Sequence, residues 1–338
     1  MDEALTGPCV WHIPADAVVR IDAHSHLMVD DPSAWIHLSR MKIRVLNVCI
    51  TTNNHALEDQ KKIYRTLAQA DSNIFDWSTS FTLPEFSAEW SERVIEELEA
   101  DFRSGAKACK FWKNLGMEVR KPDGEYLRAD DPLLSPVYRY LESCGRPALM
   151  HIGEPLACWQ PLDETSPHYW YYSEYPEWHL YGKAGYLSHA DHIAARDHIL
   201  ELFPGLRVVG AHLGSLEHDV GLIAERLDRY PNFFVDTSAR IPDLANQDRD
   251  VVREFLVRYQ DRVLYGTDFL MMEPLSTMDE LKKVRVMDEY RVQVERETGF
   301  FCGGGELQVG DRRIRGLGLP DKVVEKILSK NAKRVYAL

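Results

Sequence analysis

The stretch RIDAHSHLMVD, residues 20–30, is an apolar, strand-like run that carries two histidines, His24 and His26, two residues apart. In a β-strand successive side chains point to opposite faces. A spacing of two therefore sets both imidazoles on one face, close enough to serve one metal ion. The bland alternative is a pair of hydrogen-bonded histidines on a polar face, and thirteen histidines in 338 residues make such a pair unsurprising. The choice depends on what the rest of the chain brings to the same place.

The run belongs to a series of eight short apolar segments bounded by turn signals: residues 18–27, 43–52, 73–83, 106–114, 147–155, 206–215, 232–240 and 262–269. Helical patterns lie between most of them. SAEWSERVIEELEADFRSG, residues 87–105, has apolar residues at helical spacing and closes on Gly105 as a candidate C-cap. Strict strand–helix alternation argues for an α/β fold with a parallel sheet, and eight units over roughly 250 residues fit a (β/α)8 TIM barrel. A doubly wound open sheet is the runner-up, but no glycine-rich phosphate loop opens a helix after any strand.

Composition narrows the function classes. The chain is 45% hydrophobic with a net charge of −13. No apolar run approaches the ~18–20 residues that cross a membrane. The absence of a long basic block argues against nucleic acid as a partner. The N-terminal MDEALTGPCVWHIPADAVVR lacks the basic start and apolar stretch of a signal peptide. Six cysteines are scattered without a C-x-x-C pair, which points to a reducing, cytoplasmic setting with no disulfide framework. Cys49 and Cys109 fall in apolar runs, where a thiol acts as a small hydrophobe. Residues 1–338 read as one domain with insertions at about 154–190 and 271–320. There is no repeat and no linker, and homo-oligomerisation is left open.

Parity assigns Arg20, Asp22, His24 and His26 to one face of strand one, and Ile21 and Ala23 to the other. In strand four, Ala106, Ala108, Lys110 and Trp112 face the barrel interior while Cys109 and Phe111 face the helices. Strand six sends Val208, Gly210 and His212 inward; strand eight sends Leu264, Gly266 and Asp268. The polar groups at the C-terminal strand ends are then His24, His26, Lys110, His151, His212 and Asp268. Barrels keep their chemistry at that end. Imidazole nitrogen and carboxylate oxygen suit Zn²⁺, Mn²⁺ or Fe²⁺ with a position left for water.

With this set the sequence resembles the amidohydrolase superfamily, and within it the amidohydrolase-2 branch that includes aminocarboxymuconate semialdehyde decarboxylase-like enzymes. The matching pieces are DAHSHL, KFWKNLG, MHIGEP, GAHLGS, LYGTD and the tail GLGLPDKVVEKILSKNAKRVY. The resemblance implies that His24, His26, His151 and Asp268 ligate one divalent metal ion, zinc before manganese or iron. It implies that His212 is the nearby catalytic histidine that holds water or substrate. Relatives with two metals carry a carbamylated lysine at the end of strand four. Lys110 would fill that role, with His151 and His212 on the second ion. A charged Lys110 would instead pair with a substrate oxygen.

The insertion after strand five is crowded with tryptophan and tyrosine and is too long for an ordinary βα loop. Over the barrel mouth it would form an aromatic lid that stacks on a sugar ring, a planar acid or an aromatic substrate; the alternative is a loop packed on itself or on a second subunit. Trp112, Glu154 and Trp159 are the contact candidates. Arg240 would bind a substrate carboxylate or form a structural salt bridge. Lys113 has the opposite parity to Lys110 unless the strand ends before it. The second insertion reads as a charged helix followed by a hairpin turning at Gly310–Asp311. The expected reaction is metal-assisted hydrolysis of a lactone, amide or ester, with Asp268 as the base that takes the proton of the bound water. Non-oxidative decarboxylation of a small acid is the alternative on the same scaffold. A barrel that has lost its metal and binds a ligand or partner is the third reading.

Overall fold

The computed structural model describes residues 20–87, 89–309 and 312–338. Eight strands follow the predicted order: β1 Arg20–Leu27, β2 Ile43–Val48, β3 Phe75–Ser78, β4 Cys109–Phe111, β5 Ala148–Met150, β6 Val208–Gly210, β7 Phe233–Asp236 and β8 Val263–Leu264. The eighth resumes as β9, Leu270–Met271, after a break at residues 265–269. Strands β3-β2-β1-β9 and β4-β5-β6-β7-β8 form parallel ladders in those orders. A Thr79–Cys109 bridge joins the two arcs on one side. On the other, Ala23 N donates to Tyr265 O at 2.9 Å and Asp268 N donates to His24 O at 2.8 Å. The fold is a (β/α)8 barrel.

Two apolar layers identify the inside and the outside of the ring. Ile21, Ala23, Leu46, Val48, Ala108, Leu149, Val209, Ala211, Phe234 and Leu264 cluster with Ala332, Val335 and Tyr336 of the last helix, which plugs the barrel floor. Val45, Phe75, Cys109, Phe111, Ala148, Val208, Val235 and Val263 pack instead with helix residues such as Leu57, Val94 and Val252. Near the floor, Arg44 pairs with buried Asp76 at 2.5 Å.

These layers correct the parity expected for β1 and β6. Ile21 and Ala23 face the lumen, while Asp22 turns outward to Thr267 Oγ1 at 2.6 Å and Tyr290 OH at 2.9 Å. The β1–β2 register slips between Asp22 and Ser25, a bulge that re-aims the side chains beyond it and turns His24 and His26 into the lumen. In β6 it is Val209 and Ala211 that face the lumen. Gly210 faces out, where a Cβ would stand 2.8 Å from Gly214 Cα and 2.9 Å from the Phe233 ring. His212 enters the lumen by turning left-handed, with φ 57°. Parity holds for Ala108, Lys110 and Leu264, although Ala106, ahead of β4, joins the outer layer. Gly266 lies against β1: a Cβ there would meet His24 Cβ at 2.8 Å.

The second insertion takes the expected elements, and the first adds short helical turns. Residues 156–180 fold into short turns of helix around Cys158, Tyr172 and Leu180, a small apolar cluster of their own. The charged helix spans Glu280–Cys302, and β10 Glu306–Val309 pairs antiparallel with β11 Arg312–Arg315. The turn predicted at Gly310–Asp311 lies outside the described residues, as does Cys9. No described helix is long and apolar enough to cross a membrane.

Candidate metal centre and substrate cavity

The bulge in β1 and the left-handed residues after β6 and β8 bring the predicted polar groups together. Asp268, at φ 58°, sets Oδ1 3.5 Å from His24 Nε2 and 3.4 Å from His26 Nε2. His24, His212 and Asp268 each present one ligand atom, all within 4.8 Å of one another. His151 Nδ1 lies 3.2 Å from His212 Nε2, and Lys110 Nζ lies 3.0 Å from His24 Nε2. Non-glycine residues in the left-handed region cost of order 1–3 kcal/mol each, and such strain clusters at functional sites.

The partners of each ring assign its tautomer. His24 Nδ1 is 2.9 Å from Asp236 Oδ2. An ionised carboxylate only accepts, so the proton sits on Nδ1 and the lone pair on Nε2 faces Asp268 and Lys110. His212 Nδ1 is 2.9 Å from the Ser238 carbonyl, which also only accepts. The lone pair of His212 is therefore on Nε2, where His151 Nδ1–H donates to it. That leaves a lone pair on His151 Nε2, a buried atom with no partner; His26 Nδ1 is buried and unpartnered as well. Asp236 ties the set together, because its Oδ1 also accepts from His212 N at 2.9 Å and from Ser238 Oγ at 2.5 Å.

Burial sets the charges. It pushes His212 down to about 3 and lowers His26 and His151 too, so these imidazoles are neutral at pH 7. Burial alone would raise Asp268, but its contacts with His212, His26 and His24 outweigh that and hold it below the usual carboxylate range. Asp236 behaves likewise through His24, His212 and Ser238. Burial lowers Lys110 to about 8 against the pull of Asp236 and Asp268, so at pH 7 it keeps its proton and donates to His24 Nε2. Neutral imidazoles, an ionised carboxylate and two orphaned ring nitrogens are the donor set that Zn²⁺, Mn²⁺ or Fe²⁺ takes. The residues fit such an ion.

The cluster opens into a cavity of about 670 Å³ whose wall includes Trp112, Glu154 and Arg240, within the size range of small-molecule sites. The lid adds Pro167, His168, Trp170 and Tyr171. Strand β4 ends at Phe111, so Lys113 also reaches the wall, pairs with Glu154, and stands 3.0 Å from Tyr171 OH and 3.7 Å from the Trp178 ring centroid. Glu154 is thus committed to a buried ion pair. Trp159 is not in the wall: it donates to Leu187 O at 3.0 Å and packs against His189 and His192. Arg240 is buried, donates Nη1 to Ala239 O at 3.0 Å, and keeps Nε without a partner. Among the described residues no carboxylate lies within ion-pair distance of it.

Asp236 and Ser238 escaped the sequence reading although both lie in the run 232–240; the strand-end position that singled out His151 applies equally to Asp236. Lys113 was obscured by the uncertain end of β4. Nothing in local sequence places Val309, Arg312 and Ile314 of the hairpin in the cavity wall, where the structure has them.

A family model described as amidohydrolase matches residues 81–338. No curated protein matches the chain. Among solved structures, a putative amidohydrolase from Staphylococcus aureus is similar at 15% identity and a TM-score of 0.55, over 95% of this chain and 99% of that one. The 5-carboxyvanillate decarboxylase LigW from Sphingomonas paucimobilis is similar at 12% identity and a TM-score of 0.53, again over 95% and 99%. The 4-oxalomesaconate hydratase LigJ from Rhodopseudomonas palustris is similar at 14% identity and a TM-score of 0.50, over 94% and 95%. Likeness at these identities speaks to the fold.

Proposed function

We propose a metal-dependent hydrolytic function from one premise: the chain belongs to the amidohydrolase family. In this reading His24, His26, His151 and Asp268 hold one divalent ion, zinc before manganese or iron, and His212 stays off it. When bound, the ion supplies a Lewis acid and lowers the pKa of a coordinated water. Asp268, kept ionised, takes a proton from the attacking water and passes it to the leaving group. Lys110 and His212 face the oxygen of the attacked carbonyl, and the Lys110 ammonium donates to the charge that develops there. Arg240 holds a substrate carboxylate with its free donors, and the aromatic lid excludes water from a small planar lactone, ester or amide. Residues 1–338 act as one domain.

The observation that carries the reading is the tautomer chain. Asp236 leaves His24 Nε2 as an acceptor that Lys110 engages, and His212 leaves His151 Nε2 as a buried lone pair with no partner, while the lone pair of His212 itself is engaged by His151. Decarboxylation is the second reading, favoured by the buried and unpartnered Arg240 Nε beside the same cluster. The test combines elemental analysis with parallel assays of acid release and CO₂ release on aromatic lactones, esters and carboxylic acids. Near one ion per chain with acid release supports hydrolysis. CO₂ release would replace it with decarboxylation, two ions with a carbamylated Lys110 would sink the one-metal version, and no ion after reconstitution would sink both.

A further inference from the structure

The hairpin of the second insertion carries one residue that breaks its own pattern. Strands β10 and β11 pair Leu307 with Ile314 and Val309 with Arg312. Residues opposite each other in an antiparallel pair share a face, so Leu307, Val309, Ile314 and Arg312 lie on one side. Glu306, Arg313 and Arg315 lie on the other. The first side is the one turned to the protein: Leu307 and Ile314 pack on the outer core, Val309 is buried, and Val309, Arg312 and Ile314 line the cavity. A guanidinium therefore stands at the cavity rim, on a face otherwise built of aliphatic residues.

Arg312 Nη1 donates to Asn246 Oδ1, and among the described residues the rest of its fork has no hydrogen-bond or carboxylate partner. Arg240 and Asn246 flank the short helix Ile241–Ala245. Five residues lie between them, a six-step rise of roughly 9 Å along a helix axis. The cavity wall thus carries two arginines, Arg240 buried and Arg312 exposed, and its lining also includes Trp112, Trp170 and Tyr171. The guanidinium fork matches a carboxylate.

We propose that Arg312 is a specificity-determining residue that reads a second, distal carboxylate of the substrate, so that the substrate class is a small planar molecule with an anionic group at each end. This rests on the cavity being the substrate site of the reading above, but it is tested by binding and not by turnover. Isothermal titration of the full chain with benzoate, benzene-1,3-dicarboxylate and benzene-1,4-dicarboxylate compares the acids directly. The wild type should prefer at least one dicarboxylate over benzoate by about tenfold or more. R312Q should lose that preference with benzoate affinity unchanged, R312K should restore part of it, and R240Q should weaken all three acids. Thermal melting of R312Q at the wild-type temperature would separate recognition from support of the hairpin. Equal binding of all acids by the wild type, binding of none, or an equal loss of benzoate and dicarboxylates in R312Q would overturn the proposal. Failure of the hydrolytic reading alone would leave these affinities in place.

Discussion

Asp236→Asn tests the tautomer chain at its anchor. Oδ2 of Asp236 accepts from His24 Nδ1 at 2.9 Å, and Oδ1 accepts from His212 N, Ser238 N and Ser238 Oγ at 2.9, 3.2 and 2.5 Å. An asparagine amide keeps its oxygen where three donors converge, which places its NH₂ against His24 Nδ1–H. Two donors then face each other. The relief is for His24 to move its proton to Nε2, which removes the lone pair that faces Asp268. Loss of a group that orients a metal-bound histidine typically costs 10- to 100-fold in metal affinity, or about 1.4–2.8 kcal/mol. Competition with a chelating dye measures the affinity, and ¹⁵N–¹H correlation through the ring protons of the metal-free protein reports the His24 tautomer. Wild-type affinity, with Nδ1 of His24 still protonated in the variant, would refute the reasoning.

His212→Asn should keep most of the metal and lose roughly 10²–10⁴-fold in turnover per bound ion; metal loss in step with activity would make His212 a ligand. Glu297, which accepts from the cavity-lining Gln293 at 2.9 Å, supplies a pH test. Burial pushes this carboxyl up to about 8, with Asp22 adding to the rise, against hydrogen bonds from Gln293 and Tyr265. Its folded pKa is above its unfolded one, so its contribution to stability is complete below about 4.5 and is lost as pH rises through about 8, by at most ~1.4 kcal/mol per pH unit. Denaturant midpoints from pH 5 to pH 8 should therefore fall more in the wild type than in Glu297→Gln, and parallel curves would show that Glu297 is not the titrating group.

The residue types and their strand order were legible because a barrel repeats one simple unit. Alternation marked the eight strands, and their C-terminal ends marked His24, His151, His212 and Asp268 as candidates. Direction within two strands was not legible. A two-residue period assumes a regular ladder, and β1 slips register after Asp22 while the chain after β6 turns left-handed at His212; neither event has a local composition that announces it. Both histidine readings reached the right place through the wrong parity. Trp159 was the contact candidate and Trp170 was not, although each is one aromatic in a crowded lid. Only tertiary packing sends Trp159 to His189 and leaves Trp170 at the cavity. Arg312 depends on where a hairpin folds over a barrel mouth assembled from distant strands.

Because β1 changes register between Asp22 and Ser25, its two halves obey different counts. Upstream, Ile21 and Ala23 fill the lumen; downstream, His24 and His26 do. A strand with a single uniform period can satisfy one pair or the other. A regular ladder at unchanged length would return either the histidines or the aliphatic pair to the helix layer, with every side-chain identity preserved. Point substitution leaves the count intact. For this segment, the extra residue in the slip, more than composition, is what lets both pairs reach the lumen.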